Sequence, residues 1–256
     1  MLKGKKGIIF GIANDHSIAW GIGKKLSEHG AQLAITYQNE NLLKRVKPLA
    51  DELSSEILLQ CDFSIESDII KCFEDISKKW DSLDFIIHSV AYSDKEELNG
   101  RYIDTSKENF QNTLNISCYS FTKIAYLSSS LMKNGGSLLT LTFNGSNKVM
   151  PCYNVMGIAK AALETSVKYL STDLGEKNIR VNAISAGPMR TLSGAVIGKS
   201  REVFNYAKNN SPLKRNAELE EIGSAALYLV SEMSKSVTGE VLYVDCGLNI
   251  IGMTNT

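Results

Sequence analysis

No charge of either sign prevails in this chain: 28 lysines and arginines stand against 28 aspartates and glutamates among 256 residues. A neutral chain sets up no global field toward nucleic acid or an anionic membrane, so partners held by bulk charge are excluded. Cysteine is sparse and scattered. Cys61, Cys72, Cys118, Cys152 and Cys246 make no C-x-x-C pair and no cluster with histidine at metal spacing. Neither a disulfide framework nor a metal site is therefore expected, and free thiols suit a reducing cytoplasm. The apolar run that follows Met1-Leu2-Lys3-Gly4-Lys5-Lys6 is too short for a secretory leader or a membrane span. Internal repeats, low-complexity tracts and linkers are also missing, which sets the expectation of one domain over 1–256. With 43% apolar and 22% charged residues, the chain has what a folded core requires.

Hairpin signals are missing as well. Short apolar runs at 6–11, 32–37, 57–61 and 83–89 alternate with segments of helical period at 17–30, 39–53 and 65–79. Such alternation without tight turns predicts a parallel sheet with right-handed crossovers, doubly wound. Further on, 94–104 reads as a polar loop, 109–131 as one long helix, 137–142 as a fifth strand and 180–185 as a sixth. The glycine-rich 187–200 stretch has no clear period, 219–231 is helical and 241–245 is the last strand. About seven strands with helices on both faces result.

The first strand is not followed by G-x-G-x-x-G. Its turn, from Gly11 through Asn14, Ser17 and Ile18 to Gly21, is longer and has no glycine in its middle. A phosphate site remains possible there, because N–H groups at a helix start and the Ser17 hydroxyl can still face an anion. Any βα turn could carry the same residues for local reasons. Past strand two stands neutral Gln38, without an adjacent arginine to meet a ribose phosphate, a composition that favours NAD over NADP. Asp62 and Phe63 follow strand three where an adenine would lie, although Phe63 could equally be core. Ser89, Val90 and Ala91 follow strand four, small enough to let a flat cofactor approach.

What the chain does have is Tyr153 and Lys160, seven residues apart in a segment that begins near Pro151. On a helix that spacing places both side chains on one face, roughly 10 Å apart along the axis. A surface helix would also tolerate the pair. Tyr119 and Lys123 stand four apart in mid-helix and read as packing plus a solvated lysine; His16, His29 and His88 have no nucleophile beside them and read as structural.

Taken together, the segments 11–21, 36–39, 59–62, 153–160, 180–191 and 239–241 resemble the bacterial NADH-dependent enoyl-acyl-carrier-protein reductases, a divergent branch of the short-chain dehydrogenases/reductases. The Tyr-x6-Lys spacing and the run Ala186-Gly187-Pro188-Met189-Arg190-Thr191 carry most of the likeness. The resemblance implies a Rossmann-like fold, NADH as cofactor, acyl carrier protein as partner, a homotetramer, and reduction of a trans-2-enoyl thioester. By position it implies Tyr153 and Lys160 as catalytic groups, with Lys160 also on the nicotinamide ribose. Gly11, Ser17, Ile18, Gln38, Asp62, Phe63, Ser89, Val90, Ala91, Gly187, Pro188, Met189, Thr191, Leu192 and Ser193 would line the cofactor. Ser93, Phe143, Tyr153 and Met156 would meet the substrate. One departure stands out: ten residues before Tyr153 the family commonly has a second tyrosine, and here Phe143 keeps the ring without the donor. A ketone or alcohol oxidoreductase, or a cofactor-binding scaffold with weakened catalysis, are the competing readings. Lys199 and Arg201, with Lys214 and Arg215 further on, are candidates for docking an acidic carrier protein.

Overall fold

A computed structural model describes residues 1–192, 194 and 198–253. Seven strands form one parallel sheet: β1 (Lys6–Phe10), β2 (Gln32–Tyr37), β3 (Ile57–Gln60), β4 (Phe85–His88), β5 (Gly136–Thr142), β6 (Ile179–Ala186) and β7 (Val241–Val244), in the order β3-β2-β1-β4-β5-β6-β7. Winding runs one way from β1 through β3 and the other way from β4 through β7. The switch point therefore lies between β1 and β4, where Gly7 to Phe10 run in register with Phe85 to His88. Ligands of such sheets bind beyond the carboxyl ends of the strands at that point.

The central strands are apolar throughout because both faces are covered. Alternation sends Ile9, Ile35, Ile87 and Leu139 to one core, where α1 (Ile18–Glu28) contributes Ile22 and Leu26. Ile8, Phe10, Ala34, Ile86 and Leu138 point to the opposite core, where α3 (Glu66–Ser77) supplies Phe73 and Ile76. The helix α2 (Glu40–Glu52) follows β2, with Asn39 as its cap through Leu42 N–H at 3.1 Å.

Between β4 and β5 the structure departs from the pattern expected of the sequence. Residues 94–104 are not simply loop: α4 (Lys95–Leu98) forms one turn, capped by Asp94, and a 3-10 turn covers Tyr102–Asp104. The single helix expected over 109–131 is α5 (Lys107–Leu114), a π-helical turn at Asn115–Tyr119 and α6 (Ser120–Ser128). Serine accounts for the break. Ser117 Oγ accepts from the Tyr92 N–H and donates to the Tyr92 C=O, both at 3.0 Å, and Ser120 Oγ donates to the Ile116 carbonyl at 2.7 Å. Side-chain oxygens that compete with the helix ladder favour such turns.

The long α7 (Asn154–Gly175) begins three residues later than Pro151 suggests, since 151–153 form a turn. Residues after β6 lead to α8 (Ser200–Asn210), a helix not anticipated from sequence because it buries only Ala207 and is otherwise largely polar. Finally α9 (Leu219–Val230) packs on α1, so closely that a Cβ on Gly21 would lie 2.8 Å from Leu219 Cβ.

Candidate active site

Beyond the carboxyl ends of β1, β4, β5 and β6 lies a cavity of about 680 Å³. Its floor at the switch point depends on Gly11, which has φ +101° and whose absent Cβ would fall 2.0 Å from the Ser89 carbonyl oxygen. Only glycine permits this approach. The following turn is organised by Ser17, whose Oγ accepts from the N–H groups of Ala13 and Asn14 at 3.0 and 3.1 Å. That hydroxyl is consequently occupied within the loop and does not cap α1. Among the described residues no acceptor takes the Ile18 N–H, and Ile18 lines the cavity, so one donor at the start of α1 is left for a ligand there.

Tyr153 and Lys160 come together at the other side of the cavity. Tyr153 is 5% exposed and Lys160 is 6% exposed, and both line the space. Burial, with a smaller contribution from Glu164, pushes the Tyr153 phenol above its ordinary range, so it is a proton donor at neutral pH. Burial pulls Lys160 down to about 8, against Cys118 and Glu164, which pull upward. Its Nζ donates to the Leu141 carbonyl at 2.8 Å, leaving further ammonium hydrogens for a ligand. Among the described residues the Tyr153 hydroxyl has no protein partner.

The tyrosine ring is placed by contacts that leave no slack. Gly145, in the 3-10 turn after β5, lies so near that a Cβ there would be 2.4 Å from Tyr153 Cδ1. Phe143 meets the ring edge-on, with centroids 5.3 Å apart and planes at 66°. Leu98 and Met156 complete an apolar cluster with Tyr153, and Met150 packs against it. Glu164, one turn beyond Lys160, accepts from Thr142 Oγ1 at 2.7 Å, Ser146 Oγ at 2.5 Å and Asn147 Nδ2 at 3.3 Å. It thereby holds the 142–147 turn, and with it Gly145, against α7.

Most of the other expected residues share this space. Gly11, Ser17, Ile18, Ser89, Val90, Ala91, Gly187, Pro188, Met189, Thr191 and Leu192 line it, as do Ser93, Phe143 and Met156. Ser193 lies outside the described residues. Gln38, Asp62 and Phe63 do not line the cavity. Gln38 Nε2 donates to Asp62 Oδ2 at 3.0 Å on the surface beyond β2. Burial raises the Asp62 pKa, but hydrogen bonds from Ser64 and Gln38 outweigh it and hold the carboxyl below its usual value. Phe63 belongs to the core, edge-on to Phe10 at 5.3 Å and to His88 at 5.8 Å. His88 is itself structural: both ring nitrogens are hydrogen-bonded, to Thr140 and Ser120, and burial lowers it to about 3.

The pair Tyr119 and Lys123 is at the surface, half-exposed tyrosine and lysine bonded to Glu66 at 2.5 Å, so that lysine is paired rather than freely solvated. Cavity residues that the sequence did not single out include Tyr92, just past β4, Lys95 and Leu98, hidden because 94–104 reads as loop, and Val203 on α8. Arg190 stacks over the Phe204 ring at 4.6 Å and sets α8 beside the cavity.

The groups present suit a dinucleotide: a glycine turn at the switch point with no side chain to fill the cavity, a free Ile18 N–H at α1, and a buried ammonium with spare hydrogens. Comparison with known proteins agrees. A family model described as enoyl-(acyl carrier protein) reductase matches residues 11–249. An enoyl-[acyl-carrier-protein] reductase [NADH] of Rhizobium meliloti is 54% identical over 99% of this chain and 94% of its own length. The crystal structure of FabI from Candidatus Liberibacter asiaticus superposes with a TM-score of 0.97 at 53% identity, covering 99% of this chain and 98% of that one. A reductase of Anaplasma phagocytophilum, solved in complex with NAD, gives 0.95 at 50% identity over 99% and 95%.

Proposed function

The chain belongs to the enoyl-(acyl carrier protein) reductase family and is an NADH-dependent enoyl-[acyl-carrier-protein] reductase, and we propose that Tyr153 and Lys160 carry its chemistry. The supporting observation is that these two side chains are buried together on one cavity wall, the phenol without a protein partner and the ammonium with hydrogens to spare.

The reaction saturates the double bond of a trans-2-enoyl thioester during fatty-acid elongation. NADH supplies the hydride that the β-carbon receives. Negative charge then develops on the thioester oxygen, a protonated phenol at Tyr153 donates a hydrogen bond to it in a largely buried site, and a proton taken up at the α-carbon, ultimately from solvent, completes the saturated chain. Lys160 would hold the nicotinamide ribose through its free hydrogens, while its charge favours the same developing anion. Phe143, Met156 and Leu98 supply an apolar surface for the acyl chain. Gly11, the Ile18 N–H and Ser89 to Ala91 would hold the middle of the dinucleotide. Gln38 and Asp62 sit further out, where an adenosine ribose would reach.

The enoyl chain is delivered on acyl carrier protein, and a weak dock is formed by Lys199 and Arg201. Both are exposed next to Ser200 and Val203, which line the cavity. Arg215 is a poorer candidate, because Glu221 takes both of its terminal nitrogens at 2.7 and 2.6 Å. A homotetramer is supported by the outer surfaces of α6 and α7, where Tyr126 and Tyr169 are 74% and 73% exposed. Light scattering at micromolar concentration tests it, and a monomer removes it. The protein works as one domain in the cytoplasm, supported by a single seven-stranded sheet and free cysteines; among the described residues no helix is long and apolar enough to cross a membrane.

The test is NADH absorbance with a crotonyl thioester and, separately, with a β-keto thioester. Oxidation with the first alone is expected. Turnover of the keto substrate alone would favour the ketone reductase reading, and none with either would favour the scaffold.

A further inference from the structure

Tyr153 stands between two residues in the left-handed region, Cys152 at φ 55° and Asn154 at φ 34°. L-residues enter that region at a cost, and asparagine enters it more readily than most. At Asn154 the side chain has work of its own. Its Nδ2 donates to the carbonyl of Glu97 at 3.0 Å and to that of Gly100 at 2.9 Å. Both partners are acceptors, so the amide nitrogen alone can serve them and the orientation of the carboxamide is fixed by chemistry.

Those two carbonyls belong to the α4 segment, whose Lys95, Glu96 and Leu98 line the cavity, with Leu98 in the same apolar cluster as Tyr153 and Met156. On its other side the segment is tied to α5, since the Glu97 carboxylate accepts from the Ser106 N–H at 2.9 Å, Ser106 Oγ at 2.7 Å and Asn109 Nδ2 at 3.1 Å. The cavity wall is thus braced between α5 and the residue next to Tyr153. We infer that Asn154 is a positioning residue that couples this wall to Tyr153, so that the place of the acyl chain and the place of the donor hydroxyl are set together. The inference rests on Tyr153 being the donor. Apart from Lys160, six residues further along α7, the NADH groove is built on other elements, Gly11, the start of α1, the end of β4 and the segment after β6, and the coupling does not pass through them.

Asn154→Gly is the direct test, because glycine keeps the left-handed backbone and removes both donors. It should raise KM for a crotonyl thioester and lower kcat, with about a tenfold loss in kcat/KM, while the dissociation constant for NADH stays within twofold. Asn154→Asp, which faces two carbonyl oxygens with a carboxylate, should lose more and serves if the glycine variant does not fold. Wild-type kcat and KM in Asn154→Gly overturn the coupling. So does a loss in which NADH affinity falls as far as kcat/KM, since that marks a general loosening of the protein. Tyr153→Phe is measured in parallel: full activity there would remove the donor assignment itself, whereas an impaired Tyr153→Phe beside an unaffected Asn154→Gly would remove only the coupling.

Discussion

The two ends of the cofactor site proposed above are built on opposite principles. At the nicotinamide end Tyr153 and Lys160 are almost fully buried, each about 5% exposed, and the ring of Tyr153 is wedged by Gly145 and Phe143. At the adenosine end Gln38 and Asp62 bond to each other on the surface. Burial governs ionisation at the first end, whereas at the second the hydrogen bonds from Ser64 and Gln38 together outweigh it. The difference follows from the tasks. Stabilising a developing charge requires donors fixed in a medium that screens poorly, whereas recognising a ribose requires only hydrogen bonds that can exchange with water. Substitutions at the inner end should therefore change turnover, and substitutions at the outer end should change cofactor choice.

The largest effect belongs to Tyr153→Phe, which removes the donor and keeps the ring. Loss of roughly 10²-fold in kcat is expected for one such hydrogen bond, with little change in NADH binding, measured by steady-state kinetics and fluorescence titration. Wild-type turnover would mean that the donor is another residue. Gly145→Ala attacks the same group through packing. The new methyl would overlap Tyr153 Cδ1 at 2.4 Å, so the ring or the turn must move. Between ten- and a hundred-fold in kcat, together with about 1–3 kcal/mol of stability, should be lost. An unchanged kcat with lowered melting temperature would show that the ring's exact seat is unimportant to the chemistry.

Sequence and structure agree best where the inner end is concerned, for a physical reason. Tyr153 is the residue just before α7 and Lys160 lies in its second turn, so their relation is local and can be read from a short stretch of sequence. The strands were legible because buried parallel strands are apolar runs: the pattern Ile8-Ile9 and Ile86-Ile87 reports two covered faces directly. Illegible features depend on contacts between distant segments. Gly145 matters only because α7 crosses it, Glu164 only because three donors from the 142–147 turn converge on it, and the break at 115–119 only because Ser117 finds Tyr92. Phe63 was ambiguous for the same reason, since nothing local says that Phe10 and His88 will surround it. The helix at Ser200–Asn210 is illegible because it rests on one buried alanine and carries no apolar stripe.

Lys160 sharpens the comparison through pH. Its ammonium is lowered to about 8 chiefly by burial, so in the free enzyme it is charged below that value and neutral above it. The charged form is the one that suits an anionic cofactor. NADH affinity should accordingly be flat below pH about 8 and fall as pH rises beyond it, by about tenfold per unit until the neutral amine sets a floor. Lys160→Ala should bind more weakly and lose the break. A break that survives the substitution would belong to another group.

A smaller change is expected at the outer end. Gln38→Arg supplies a cation for the extra phosphate of NADPH and should narrow the preference for NADH several-fold, measured as the ratio of kcat/KM values. Two features keep the gain below what a buried arginine would give. The site is exposed, which screens the charge, and Asp62 remains beside it as a competing partner for the new guanidinium. Equal use of both cofactors by the unaltered protein would refute the assignment of Gln38.

Phe143→Tyr should do least, although it touches the inner end. The position lies against Tyr153 in an apolar cluster with Leu98, Met150 and Met156. A hydroxyl introduced there loses hydration, at about 1–3 kcal/mol if it finds no partner, and it can recover that only by bonding to the substrate oxygen. On the proposed assignment Tyr153 already serves the oxygen, so the gain and the cost should nearly cancel. Activity is expected to change by less than about tenfold, equivalent to ~1.4 kcal/mol in the barrier. Measuring kcat and KM separately decides what the position is for: a shift confined to KM fits a ring that packs the acyl chain, as the geometry here supports. A rise in kcat well beyond tenfold would instead show that a second donor is wanted at this end, and that Tyr153 with Lys160 is a reduced form of the site.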